Sequence, residues 1–136
     1  MKMEQSCGAV VFTRRNGQLL FVVLEEQSGA YSFPKGHMEG DEAPLDTARR
    51  EIREETGLAP RFIDGFCMRE EYDLAEKPGT RKRVTYFLAE FGDETPIPQA
   101  SEVRQILLLP HEEAAPLFTR GNTRSILAAA HDFLTR

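Results

Sequence analysis

The chain has 136 residues, of which 40% are hydrophobic and 29% charged, and a formal net charge of −5. That length suits one domain with its own core, residues 1–136, and the balanced composition excludes a disordered or fibrous chain. No apolar run reaches membrane-spanning length and the acidic balance disfavours a stable nucleic-acid or membrane partner, so a soluble, cytoplasmic protein is expected.

Cys7–Phe12 and Leu19–Leu24 are apolar runs separated by Arg14-Arg15-Asn16-Gly17. Asn-Gly accepts the positive φ angles of a tight hairpin, so the pair reads as strand, turn, strand. Cys7 and Cys67 lack any metal-ligand spacing and are expected to be buried free thiols. From Glu25 to Glu42 the periodicity disappears, and Gly29, Pro34, Gly36 and Gly40 mark a long connection of the kind that carries function. Leu45, Ala48 and Ile52 then recur at helical spacing between Pro44 and Gly57, which predicts a helix over Pro44–Thr56 with an apolar stripe on the core. Ala43 is a poor cap, although Asp41, Glu42 and Asp46 place negative charge at the positive end of the helix dipole.

Arg61–Tyr72, Val84–Phe91 and Glu102–Leu109 read as three further strands, separated by Pro/Gly segments. A short helical turn follows near Glu112–Phe118, and Leu127, Ala130, His131 and Leu134 predict a terminal helix after Gly121-Asn122. Strands and helices mix without regular βαβ alternation. That order points to an α+β fold, an αβα sandwich with a mixed sheet, rather than a doubly wound parallel sheet.

Glu51, Glu54 and Glu55 stand at offsets of three and four, which places them on one face of the helix opposite its apolar stripe. Like charges at that spacing oppose the helix by roughly 0.2–0.5 kcal/mol per pair, and Arg49, Arg50 and Arg53 offset this only in part. Clustered oxygen ligands suit a hard cation such as Mg²⁺ or Mn²⁺; the bland alternative is a solvated charged face.

The segment Gly36–Leu58, GHMEGDEAPLDTARREIREETGL, resembles the Nudix box, G-x5-E-x7-R-E-U-x-E-E-x-G-U with U aliphatic. Gly36, Glu42, Arg50, Glu51, Ile52, Glu54, Glu55, Gly57 and Leu58 meet every fixed position. At ordinary residue frequencies such a match arises by chance on the order of once in a billion windows, which outweighs the solvated-face alternative. The resemblance implies the Nudix αβα sandwich and a metal-dependent pyrophosphohydrolase. It makes Glu51, Glu54 and Glu55 the metal ligands, Arg50 the residue that positions a glutamate, and Glu42 a ligand or base. No G-x-x-x-x-G-K-[ST] loop offers a rival way to hold phosphates.

Phe33-Pro34-Lys35-Gly36-His37, Cys7-Gly8-Ala9, Tyr86-Phe87-Leu88-Ala89-Glu90 and Ser101-Glu102 are further similar to Nudix enzymes that cleave diadenosine tetraphosphate asymmetrically. That likeness implies a small-molecule nucleoside polyphosphate as partner, Lys35 and Lys82 on its phosphates, and Glu102 beside the metal. It places Tyr86 against adenine, with Tyr72 as the second aromatic of the clamp. Lys82 reads equally well as a loop cation and Tyr86 as a core aromatic. Other substrates remain open: Arg69, Arg81, Lys82 and Arg83 suit a diphosphoinositol polyphosphate, and ADP-ribose, a nucleoside triphosphate or a triphosphate RNA end are alternatives. A non-catalytic sensing module would be expected to have lost box glutamates, and all are present here.

Overall fold

A computed structural model describes residues 2–136 and gathers the strands into one eight-stranded mixed sheet. In chain order the strands are β1 (Lys2–Arg15), β2 (Gln18–Glu26), β3 (Tyr31–Ser32), β4 (Lys35–His37), β5 (Arg61–Phe62), β6 (Met68–Asp73), β7 (Thr80–Glu90) and β8 (Val103–Leu109). The helices are α1 (Pro44–Thr56), α2 (His111–Ala114), extended by a 3₁₀ turn over Ala115–Leu117, and α3 (Thr123–Thr135). Among the described residues no helix is long and apolar enough to cross a membrane.

β1 and β2 form the expected hairpin, with Arg15 opposite Gln18 and positive φ at Asn16 (54°) and Gly17 (76°). The two strands stay paired only as far as Phe12 and Phe21. Beyond that point they part, and the segment read as an unstructured connection enters the gap: β3 pairs with β2, and β4 pairs with Ser6–Gly8 of β1. On its other edge β1 runs parallel to β7 from Lys2↔Thr80 to Phe12↔Glu90.

Because both faces of β1 are covered, its apolar run is continuous rather than alternating. Val10 and Phe12 face one way and pack with Phe21, Val23, Ile126, Leu127 and Ala130 under α3. Ala9 and Val11 face the other way and pack with Val22, Leu24 and Ile52 under α1. Burying each large aliphatic side chain contributes about 1.5–3 kcal/mol, so Ile52, Ile126 and Leu127 help to hold the two helices on the sheet. The result is the expected three-layer, mixed-sheet architecture.

Several expectations are corrected. Arg61–Tyr72 is two strands, β5 and β6, interrupted by a turn at Asp64-Gly65 where Gly65 takes a φ of 96°. Leu45 is 41% exposed, so the stripe of α1 that reaches the core is Thr47, Ala48, Ile52, Glu55 and Thr56. Cys7 is buried, whereas Cys67 is exposed. Glu102 lies just before β8, its amide donating to the Gln99 carbonyl at 3.1 Å and its carbonyl accepting from the Gln27 amide at 3.1 Å.

Candidate active site

The centre of the site is Arg50, held on α1 one residue before Glu51. Its Nε donates to Glu42 Oε2 at 2.7 Å and its Nη2 to Glu42 Oε1 at 3.0 Å, a bidentate fork. Nη1 reaches Glu51 Oε2 at 2.9 Å and Glu54 Oε2 at 3.1 Å, and Nη2 also donates to the His37 carbonyl at 2.9 Å. One guanidinium thus fixes three carboxylates and the end of β4.

Glu42 is saturated, accepting in addition from the Glu39 amide at 3.0 Å and the Thr47 hydroxyl at 2.8 Å. The Arg50 hydrogen bonds, followed by the Glu39 amide, hold its carboxyl down at about 2. Arg50 is correspondingly stabilised in its charged form, first by Glu42. This is the geometry of a positioning group rather than of a base poised near neutrality. The weak cap at Ala43 is offset by Asp46 Oδ2, which accepts from the Ala43 amide at 3.1 Å.

Glu51 and Glu55 occupy the opposite regime. Glu55 is only 8% exposed, and burial, then the charge of Glu51, pushes its carboxyl up to about 8. The Lys35 amide donates to its Oε1 at 3.0 Å, which ties β4 to the helix. Burial also raises Glu51, against the pull of Arg50, and Glu102 repels both Glu51 and Glu55. Glu54 lies further out, its side chain 46% exposed. The three helix glutamates therefore fan from the buried edge of α1 to solvent rather than sharing one solvated face.

These groups border a cleft of about 480 Å³ lined by Glu51, Glu55, Glu102, Lys35, Lys82 and Glu39 among others. Gly36 forms part of its wall, and a Cβ there would fall on the Glu51 carboxyl group. The glycine is what lets that carboxylate lie against β4. Lys82, opposite Tyr72 in the β6–β7 ladder, has its ammonium destabilised by burial and then by Lys35.

The donor set is all oxygen and its carboxyl groups outnumber Arg50, Lys35 and Lys82 beside them, which suits a hard divalent cation. Among the described residues no three Asp, Glu, His or Cys side chains are placed to hold a metal ion together, so binding one requires the glutamates to close in around it. Arg50 supplies the positive charge among Glu42, Glu51 and Glu54.

The structure brings Arg50, Glu42, Glu51, Glu54, Glu55, Glu102, Lys35 and Lys82 into one neighbourhood. Tyr86 lies apart from them, in the core. It is 1% exposed, with its ring edge-on to Phe33 at 5.6 Å between centroids. It contributes to the wall of a second cavity of about 270 Å³, which it shares with the half-buried Tyr72 and with Lys35. Glu39, at 3.6 Å from Arg50, and the cavity-lining Glu70 and Arg120 were missed because isolated charges in loop or edge-strand contexts carry no spacing signal.

A consequence for stability follows from Glu55. Its folded carboxyl, at about 8, binds a proton more tightly than the unfolded one near 4.5, so its contribution is fully present below 4.5 and is lost as pH rises through 8. In metal-free buffer the melting temperature is expected to fall across that window, and Glu55→Gln to flatten the decline. Thermal scans in EDTA from pH 5 to 9 measure it; an identical slope in the variant contradicts the assignment.

Residues 3–130 match the NUDIX domain family. Over 142 aligned residues the chain is 32% identical to the asymmetrical bis(5'-nucleosyl)-tetraphosphatase of Sus scrofa and 33% identical to that of Mus musculus, covering in each case 96% of this chain and 95% of the relative. Its fold superposes on a C. elegans Ap4A hydrolase binary complex with a TM-score of 0.88 at 21% identity, covering 96% of this chain and 97% of that one. The domain match takes in nearly the whole chain; the chain belongs to the Nudix family and is a Nudix hydrolase.

Proposed function

We propose that this enzyme splits diadenosine tetraphosphate asymmetrically into ATP and AMP in the cytoplasm, using Mg²⁺ or Mn²⁺ held by Glu51, Glu54, Glu55 and Glu102. The observation that carries this reading is the meeting of two crowds of charge in one cleft. Glu51 and Glu102 oppose a charge on Glu55 on one side, and Lys35 adds to the burial that opposes one on Lys82 beside them. A polyphosphate bound with a divalent cation relieves both. The names of the pig and mouse relatives, asymmetrical tetraphosphatases, support the same substrate.

When bound, such an ion neutralises phosphoryl charge and makes water a stronger acid. Arg50 keeps Glu51 and Glu54 oriented, and Glu42 keeps Arg50 in place. Lys35 and Lys82 hold the phosphates and set which phosphorus lies beside the carboxylates; that register decides the products. Lys35 also borders the second cavity, which gives one adenosine a seat against Tyr72 next to the cleft. Two of the four cations that suit a diphosphoinositol polyphosphate are engaged elsewhere. Arg81 pairs with Asp73 at 3.0 Å and Arg83 with Glu71 at 3.0 Å.

Turnover of diadenosine tetraphosphate is expected to exceed that of ADP-ribose and of any diphosphoinositol compound in a parallel steady-state panel, and a reversed order overturns the reading. In the same assay Tyr72→Ala should raise KM by about ten- to a hundredfold, the equivalent of roughly 1–3 kcal/mol of base stacking. Tyr72→Phe keeps the ring and should change little. Unchanged KM in Tyr72→Ala would move the base elsewhere. Saturating Mg²⁺ should also raise the melting temperature, because a ligand of the folded state alone stabilises it and here relieves carboxylate repulsion. Calorimetry showing no rise would count against the ligand set.

A further inference from the structure

Glu51 and Glu55 are carried into the cleft by α1, whereas Glu102 stands on the irregular connection between β7 and β8. A carboxylate on such a segment keeps its place only if neighbouring elements hold the backbone. The connection is tied first to the end of α1. The Ile97 amide donates to the Thr56 carbonyl at 2.8 Å and the Gln99 amide to the Glu55 carbonyl at 3.3 Å. Those bonds stop short of the turn over residues 100–102, on which Glu102 sits.

What grips the turn is Gln27, which follows directly on β2. Its backbone amide donates to the Glu102 carbonyl at 3.1 Å, and its side-chain Nε2 donates to the Ala100 carbonyl at 2.8 Å. Its own carbonyl accepts from Arg104 Nη2 at 2.9 Å, and Arg104 Nη1 in turn reaches Glu25 Oε2 at 3.1 Å. Arg104 is the extra residue of a β-bulge, since Glu25 lies opposite Gln105 and Glu26 opposite Val103. Bulges re-aim side chains beside active sites, and this one falls at the start of β8, next to Glu102. Gln27 is exposed, so its side-chain hydrogen bond adds little to stability; water would serve its amide nearly as well. The bonds that converge on the turn act on its position.

We propose that Gln27 is a positioning residue for the hydrolysis, acting through Glu102: its two donors hold the turn so that the Glu102 carboxylate can close on a divalent cation together with Glu51 and Glu55. The inference rests on the reading of Glu102 as a metal ligand. Gln27 also borders the cleft, and a glutamine that touched the phosphates instead would act on substrate binding, a difference that kinetics resolve.

The test is a double-mutant cycle of Gln27→Met and Glu102→Gln with two readouts. One is steady-state hydrolysis of diadenosine tetraphosphate with Mg²⁺. The other is Mn²⁺ binding to the nucleotide-free protein, followed by the electron paramagnetic resonance of the free ion. Methionine keeps the length of the side chain and removes its donor, so the melting temperature should hardly change. Gln27→Met is expected to lower kcat and weaken Mn²⁺ binding by about tenfold each, as loss of an outer-shell partner of a metal site does, with KM unchanged. In the Glu102→Gln background the same substitution should cost nothing further. A rise in KM at constant kcat, or losses that add in the double variant, overturn the proposal, because Gln27 then acts without Glu102. Wild-type kcat and Mn²⁺ affinity in Gln27→Met beside an impaired Glu102→Gln refute only the role of Gln27. Wild-type behaviour of Glu102→Gln refutes Glu102 as a ligand and the proposal with it. If the wild type does not cut diadenosine tetraphosphate, the substrate reading fails, while the Mn²⁺ cycle still decides what Gln27 does.

Discussion

Glu55→Gln and Glu54→Gln are each expected to lower kcat by about a hundredfold to a thousandfold, the usual cost of removing one group that stabilises charge at a reacting centre. The two variants should differ in stability. Glu55 is buried and its charge is opposed by burial and by Glu51, so its neutral amide should leave the metal-free protein at least as stable as the wild type near pH 8. Glu54 is half exposed and bonded to Arg50, so its replacement should change stability little. Steady-state kinetics beside thermal melts separate these outcomes. Near-wild-type turnover in either variant would remove that glutamate from the metal site.

Gly36→Ala tests a feature of shape rather than charge. The added methyl group would occupy the position of the Glu51 carboxyl, which lies at the far end of a flexible side chain and can swing aside. The fold should therefore survive with little loss of melting temperature. Turnover should drop about a hundredfold, because a displacement of roughly 1 Å in a catalytic group costs that much. Pairing the substitution with Glu51→Asp, whose shorter side chain leaves room for the methyl, should restore part of the loss. A fully active Gly36→Ala enzyme would contradict the close packing of β4 against Glu51.

Much of this architecture was legible because hydrophobic pattern and turn chemistry agreed. The Asn16-Gly17 hairpin combined two apolar runs with a turn signal, and the helix between Pro44 and Gly57 and the terminal helix through Leu127 and Ala130 each combined a periodic apolar set with an end signal. The expectations that failed lacked that agreement. β3 and β4 contain two and three residues, and their pairing depends on where β1 and β2 part, a tertiary event with no local signature. Lys2–Gln5 extends β1 although it is polar apart from Met3, because it pairs with the polar Thr80–Arg83 of β7.

The site divided along the same line. Glu51, Glu54 and Glu55 shared a spacing within one helix, and the resemblance to the Nudix box set them and Arg50 apart from a solvated charged face. That Arg50 links Glu42, Glu51, Glu54 and the His37 carbonyl depends on how β4 folds back onto α1. Tyr86 illustrates the limit of reading a single residue. An aromatic ring beside polar strand neighbours fits a ligand surface or a core equally well, and only the packing of Phe33 against it places Tyr86 in the core.

The central claim concerns which phosphoanhydride bond breaks, and identification of the products tests it most directly. With diadenosine tetraphosphate and Mg²⁺, chromatography of an early time point should give ATP and AMP in equal amounts, with Lys35 and Lys82 fixing the register of the phosphates against the carboxylates. Two molecules of ADP, or no cleavage beside brisk hydrolysis of an inositol pyrophosphate, would contradict it.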